Sequence, residues 1–88
     1  MKTLLLQVKK EYFQQIEEGS KKIDYRDCTE YWISRLIEDV MNPDTDNESY
    51  IFTKFNEVKF LCGKKVLVKD HVKTELDIEE GLFHIYIS

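Results

Sequence analysis

A helix has to give way to a strand within residues 19–26, whose sequence is Gly-Ser-Lys-Lys-Ile-Asp-Tyr-Arg. Gly19 suits the left-handed position that follows a helix C-terminus. Beyond it the side chains should alternate, which would place Lys22, Asp24 and Arg26 on one face of a strand. Because arginine presents a planar fork that a carboxylate can orient, these residues predict a small site for an anion or a polar base. The alternative is an ordinary solvated ion pair.

The segments around this corner indicate a mixed helical and strand domain. A short apolar strand is expected over residues 3–8, followed by an amphipathic helix over residues 9–18. A second helix should begin after a capping residue, for which Asp27 and Thr29 compete, and its apolar stripe predicts that it runs to about Val40.

The second half of the chain has the alternation that is typical of strands. Residues 50–52, 55–61, 65–73 and 82–87 are the candidate strands, with a turn at Gly63 between the second and the third. Phe83, Ile85 and Ile87 should point inward from the last strand. Eighty-eight residues predict a single domain, spanning residues 1–88, with one small core.

The clearest predicted loop covers residues 42–49. It is polar and carries the chain's only proline in an Asn-Pro turn dipeptide. We expect a mobile insertion at this point. Its acidic residues lack the spacing and the glycine of a calcium-binding loop, so calcium is not expected there.

Residues 19–26 resemble the signature of the ASCH domain, a small member of the PUA-like β-barrel group. The family pattern is Gly-x-Lys-x-x-Glu-x-Arg; Gly19, Lys21 and Arg26 match it, and Asp24 replaces the glutamate. The preceding strand and helix, and the Thr-Glu-Tyr-Trp segment at residues 29–32, are also similar. The resemblance implies an α+β fold, namely a small PUA-like β-barrel of about five strands with two helices.

The resemblance also implies a cleft that binds RNA or a nucleotide-type ligand. The candidate binding residues are Lys21, Lys22, Asp24, Arg26, Tyr31 and Arg35. Tyr31 and Arg35 are four residues apart on the second helix, so they could offer a base a stacking surface and a cation. A plain surface pair is the alternative. Trp32 belongs to the apolar stripe and should be packed.

An enzymatic function is a second alternative. Some proteins of similar pattern are amidohydrolases that act on an acetylated cytidine, and others have been linked to RNA cleavage. Lys21, with Asp24, would then be catalytic. The amidohydrolase type has a threonine where this chain has Asp24, and Glu75 is the candidate for its distant glutamate. Because of that departure, the interpretation leans toward binding rather than catalysis.

The charge distribution supports a third class of function. The net charge is −4 with a pI of about 5.1, which argues against extensive phosphate binding. A small acidic protein can imitate nucleic-acid charge and inhibit or regulate a protein partner, as phage and mobile-element proteins do. The acidic residues for such a contact would be Glu38, Asp39, Asp44, Asp46 and Glu48.

One predicted strand carries a basic face. That face contains Lys65, Lys69, His71 and Lys73, with the valines of the strand on the other side. It could follow a phosphate backbone. A solvated face that protects a sheet edge is the favoured alternative.

Cysteine usage and hydropathy exclude several other classes. Cys28 and Cys62 lack the spacing of a zinc site or a disulfide framework, so neither a metal nor another cofactor is expected. No run of 18 apolar residues is present, so no membrane contact is expected. The apolar run after Lys2 is too short for a signal peptide, and we expect a cytoplasmic protein.

Overall fold

The computed structural model describes residues 2–41 and 49–88. The helices are α1 (Lys10–Glu18) and α2 (Glu30–Leu36), and the strands are β1 (Thr3–Gln7), β2 (Ile23–Asp27), β3 (Ile37–Met41), β4 (Ser49–Phe52), β5 (Glu57–Cys62), β6 (Lys65–Asp77) and β7 (Leu82–Ile87). The predicted loop over residues 42–49 lies outside the described residues, except that Ser49 begins β4. None of the helices within the described ranges has the length and apolar character needed to cross a membrane.

Five strands form one mixed sheet in the order β1-β5-β6-β7-β2, and β3 pairs with β4 in a separate two-stranded sheet. The β1–β5 pair is parallel, and the other pairs are antiparallel. The predicted α+β class with two helices is therefore confirmed. No closed barrel is found in the described part of the chain, where β1 and β2 are the edge strands of the larger sheet.

The core lies on one face of the five-stranded sheet. Its buried residues are Leu4, Leu6, Phe13, Ile16, Leu36, Val58, Phe60, Phe83, Ile85 and Ile87. Helix α1 contributes two of these side chains from one stripe, as its sequence period predicts. The inward alternation predicted for β7 is confirmed.

Helix α1 ends as the sequence predicts, and the way it ends sets the start of β2. Gly19 has φ +84°, and its N–H donates to the Ile16 carbonyl while the Ser20 N–H donates to the Gln15 carbonyl. This is a Schellman motif. The Lys21 N–H also donates to the Gln15 carbonyl, so β2 begins only at residue 23 and the predicted alternation does not extend back to residue 21.

Helix α2 is shorter than predicted. The Thr29 hydroxyl caps it by accepting a hydrogen bond from the Trp32 N–H at 3.4 Å, so Thr29 rather than Asp27 is the cap. The helix ends at Leu36, and Ile37 pairs with Phe52 as the first residue of β3. The predicted extension of the helix to Val40 was wrong. The residues after Leu36 pair with β4 as a strand, although their apolar residues have a helical spacing.

Strand β6 extends to Asp77, four residues beyond the predicted end, and its valines face solvent. Val68 is 46% exposed. Leu67 and Lys69 instead lie opposite the buried Phe60 and Val58, on the core side of the sheet. Because β6 is the central strand, its lysines do not protect a sheet edge.

Candidate functional site

The edge strands β1 and β2 meet at a single hydrogen bond. The Arg26 Nη2 atom on β2 donates to the Gln7 carbonyl on β1 at 2.9 Å. Edge strands otherwise present unpaired backbone groups. We call this junction the seam.

A buried ion pair holds Arg26 in this position. Its Nε donates to Asp24 Oδ1 at 2.6 Å, and its Nη2 lies 3.3 Å from Oδ2, so the contact is bidentate. Asp24 is only 4% exposed. Both residues lie opposite buried residues of β7, on the core face of the sheet. The carboxylate is thus removed from water, and one guanidinium compensates its charge. The bidentate contact fixes the orientation of the guanidinium.

Lys21 lies beside this pair between two tyrosine rings. Its Nζ is 5.1 Å from the Tyr12 ring centre and 5.3 Å from the Tyr25 ring centre, within cation–π range of both. These side chains surround a cavity of about 280 Å³ that we call the seam cleft. Its lining residues are Gln7, Val8, Lys9, Tyr12, Lys21, Asp24, Tyr25 and Arg26.

A second cleft adjoins the first and is rich in aromatic surface. The Arg35 guanidinium lies 4.6 Å from the Tyr31 ring centre, and the Tyr31 and Trp32 rings meet edge to face at 4.9 Å. This cavity, of about 450 Å³, we call the platform cleft. Its lining residues are Leu5, Gln7, Arg26, Tyr31, Trp32, Arg35 and Leu61.

Arg26 joins the two clefts. Both are lined by Arg26 and Gln7, and the Arg26 guanidinium carbon lies 5.3 Å from the Trp32 ring centre. Nε and Nη2 are engaged, whereas Nη1 donates to no acceptor in residues 2–41 and 49–88. Two N–H groups of a fixed, charged fork are therefore left for a ligand that enters either cleft.

The structure brings together five of the six predicted binding residues. Lys21, Asp24 and Arg26 line the seam cleft, and Arg26 also lines the platform cleft with the two residues predicted from α2. The predicted alternation would have placed Lys21 and Asp24 on opposite faces of a strand. The backbone turn before β2 instead brings both residues to the same cleft. Lys22 is exposed and does not line either cleft.

Other lining residues were not predicted from the sequence. Gln7 contributes its backbone to the clefts, and Tyr12 contributes its side chain from helix α1. Trp32 was predicted only as a core residue. Trp32 does pack against the core while its ring also faces the platform cleft. The aromatic residues could have been found from their positions on elements that flank the motif.

Glu75, the candidate for a distant catalytic glutamate, does not line the seam cleft. It lies on β6 and accepts from Lys73 Nζ at 2.7 Å, with both side chains about half exposed. Its hydrogen bond with Lys73 lowers the pKa of Glu75, and the same bond raises the pKa of Lys73. Lys21 and Glu75 line different clefts.

The other predicted surfaces are only partly described. Of the acidic residues, Glu38 is exposed, the side chain of Asp39 is not described, and Asp44, Asp46 and Glu48 lie outside the described residues. The basic face of β6 is broken by a register shift between His71 and Lys73. Because burial disfavours the imidazolium, the pKa of His71 is lowered, although a hydrogen bond with the Phe55 backbone opposes the shift.

Comparison with protein-family models, with curated proteins and with solved structures finds no match to this chain. The likeness to the ASCH domain thus rests on the signature residues and on the elements around them.

Proposed function

We propose that this protein binds RNA or a nucleotide-type ligand in the two clefts that meet at Arg26. The accompanying fold proposal is an ASCH-like, PUA-like domain whose barrel is open at the seam. The five-stranded sheet with Arg26 bridging its two edge strands supports that proposal. The observation that carries the function is the Arg26 fork, which is fixed on one side and whose Nη1 donors on the other side have no acceptor among the described residues.

The clefts match the two chemical parts of a nucleotide. Tyr31 offers an exposed ring on which a base can stack, and Arg35 already lies over that ring. Lys21 and Arg26 supply cationic donors for a phosphate or for the oxygen atoms of a base. Typical ligand pockets measure about 300–1,000 Å³. The platform cleft is within this range, and the seam cleft is slightly smaller.

The same contacts favour binding over catalysis. Both oxygens of Asp24 accept hydrogen bonds from Arg26 and the residue is only 4% exposed, so little of the carboxylate is open to a substrate. A general base needs a free acceptor within hydrogen-bonding reach of the proton that it removes. Glu75 lies in another cleft and does not supply that acceptor.

A chemical-shift titration of the isotopically labelled chain tests the proposal. The panel contains short single-stranded RNAs, the common nucleotides and nucleosides, and acetylated cytidine. We expect shifts in residues 21–26 and 31–35. A hydrogen bond to a charged group contributes about 1.5–3 kcal/mol, so Lys21→Ala should weaken binding roughly tenfold or more.

Three substitutions separate the site from general charge effects. Lys22→Ala removes the neighbouring cation, which is exposed and outside both clefts, and should leave the affinity unchanged. Arg26→Lys keeps the charge but loses the fork, so it should weaken binding. Tyr31→Leu removes the stacking surface, at a cost of about 1–3 kcal/mol per base.

Three outcomes would change the conclusion. Equal losses for Lys21→Ala and Lys22→Ala would refute the site. No shifts with any member of the panel would refute the ligand class. Product signals that accumulate with time and vanish in Lys21→Ala would show an enzyme instead of a binding protein.

A further inference from the structure

A second group of polar side chains lies at the β6–β7 hairpin, and none of its members lines the two clefts of the proposed function. Asp77 ends β6, Glu80 is in the turn, and His84 is on β7. Each offers one ligand atom, and the three atoms lie within 4.8 Å of one another. The sequence does not single out this group, because six residues lie between Asp77 and His84.

His84 supplies an independent observation. Its Nε2 atom is fully buried and has no hydrogen-bond partner among the described residues. Leaving a buried polar atom without a partner is unfavourable, and such atoms are uncommon in folded proteins. Coordination of a cation through Nε2 would give this atom the partner that the described residues do not supply.

The hairpin turn holds the Asp77 carboxylate and the Glu80 backbone in place. The Gly81 N–H donates to the Asp77 carbonyl at 2.8 Å, and the Glu80 N–H donates to Asp77 Oδ1 at 3.1 Å. Gly81 has φ +68°, which glycine adopts without strain. One carboxylate oxygen of Asp77 is thus held by the turn, and the other has no such bond.

The surroundings favour a cation. A cavity of about 400 Å³ opens at this hairpin, and Glu75 and Glu79 line it together with Asp77 and His84. The cationic Lys73 is paired with Glu75 at 2.7 Å. Acidic residues therefore exceed basic ones around the three ligand atoms, and this attracts a divalent ion.

We propose that Asp77, Glu80 and His84 form a binding site for a divalent transition-metal ion of the zinc type. One imidazole with two carboxylates is a donor set suited to such ions, whereas calcium and magnesium prefer oxygen donors alone. Zinc–ligand bonds of about 2.0–2.2 Å place tetrahedral ligand atoms roughly 3–3.5 Å apart. Small side-chain rotations would close the remaining distance. Three protein ligands leave one position open for water or a substrate atom.

Titration of the labelled full-length chain with zinc chloride tests the site, with the imidazole nitrogen signals as the readout. One ring nitrogen of His84 should shift, while the signals of His71 should stay in place because its Nε2 is already bonded to the Thr74 hydroxyl. The affinity from calorimetry should fall at least about tenfold in His84→Gln and in Glu80→Gln. Glu80 is exposed, so its substitution tests the site even if His84→Gln fails to fold.

Matched controls exclude other ligands. Glu79→Gln removes a neighbouring carboxylate that is not a proposed ligand, so it should weaken zinc binding much less than Glu80→Gln does. His71→Gln removes the other histidine and should bind zinc as the parent chain does. Cys28 is exposed and its N–H donates to the Gly81 carbonyl, so Cys28→Ser tests thiol binding. An unshifted His84 at millimolar zinc, an unchanged affinity in Glu80→Gln, or binding lost in Cys28→Ser would each overturn the proposal.

Discussion

Replacing Arg26 with methionine should strongly destabilise the fold, because it leaves the Asp24 carboxylate buried without its partner. The Asp24 side chain is 6% exposed and that of Arg26 is 19% exposed. Breaking a buried ion pair by removal of one partner costs about 3–5 kcal/mol. Arg26 borders two clefts that admit water, so we expect the lower end, about 3 kcal/mol. Proteins are stable by only about 5–15 kcal/mol, so this is a large fraction of the total.

Urea unfolding followed by far-ultraviolet circular dichroism measures this loss. Trp32 fluorescence is a second probe, since Trp32 is the only tryptophan and lies 5.3 Å from the Arg26 guanidinium carbon. The two probes should give the same transition, and the slope of the unfolding free energy against urea concentration should be unchanged. That result would show that the variant differs in stability and that two-state unfolding still holds.

The matched control is the Lys73–Glu75 pair. It joins residues two apart on one strand at 2.7 Å, as Asp24 and Arg26 are joined at 2.6 Å, but both its side chains are about half exposed. Lys73→Met should leave the stability unchanged within error, because solvent screens exposed pairs. The two substitutions therefore differ in burial and in the Arg26 hydrogen bond to the Gln7 carbonyl.

A double substitution separates the lost pairing from lost packing. Asp24→Leu combined with Arg26→Met removes both charges, so it should be more stable than Arg26→Met alone, by about 2 kcal/mol. If Arg26→Met lost no more stability than Lys73→Met, or if the double variant recovered nothing, the argument from burial would be refuted.

Three further changes test the local structure and the pH dependence. Gly19→Ala should cost about 1 kcal/mol net in urea unfolding, because φ +84° is strained for a residue with a Cβ, and Gly19→Asn should cost less. Thr29→Ala should cost about 0.5–1 kcal/mol through the lost cap on the Trp32 N–H, and Thr29→Ser should restore it. The lowered pKa of His71 means that the unfolded chain takes up its proton first, so stability should be full above pH 6.5 and fall as the pH drops through 6.5 toward the lower folded pKa. His71→Gln should flatten that part of the curve, and an unchanged slope would contradict the assignment.

The sequence by itself determined those features that depend on neighbouring residues. Gly19 predicts the end of α1 because only a residue without a Cβ adopts its backbone angles freely. The alternation of Phe83, Ile85 and Ile87 predicts the inward face of β7 because side chains of a strand alternate between its two faces. The signature motif likewise indicated Lys21, Asp24 and Arg26 as a polar group before their contacts were known.

Only the tertiary structure decided how distant segments meet. Helix α2 ends at Leu36 because the residues that follow it pair with β4 as strand β3. The valines of β6 face solvent because the buried residues of β5 lie opposite the other set of alternating β6 positions. The Arg26 contact with the Gln7 carbonyl and the approach of Asp77 to His84 depend on strand order and register. Register is set by pairing over the whole sheet, and a shift of one residue exchanges the two faces, so local patterns alone do not specify it.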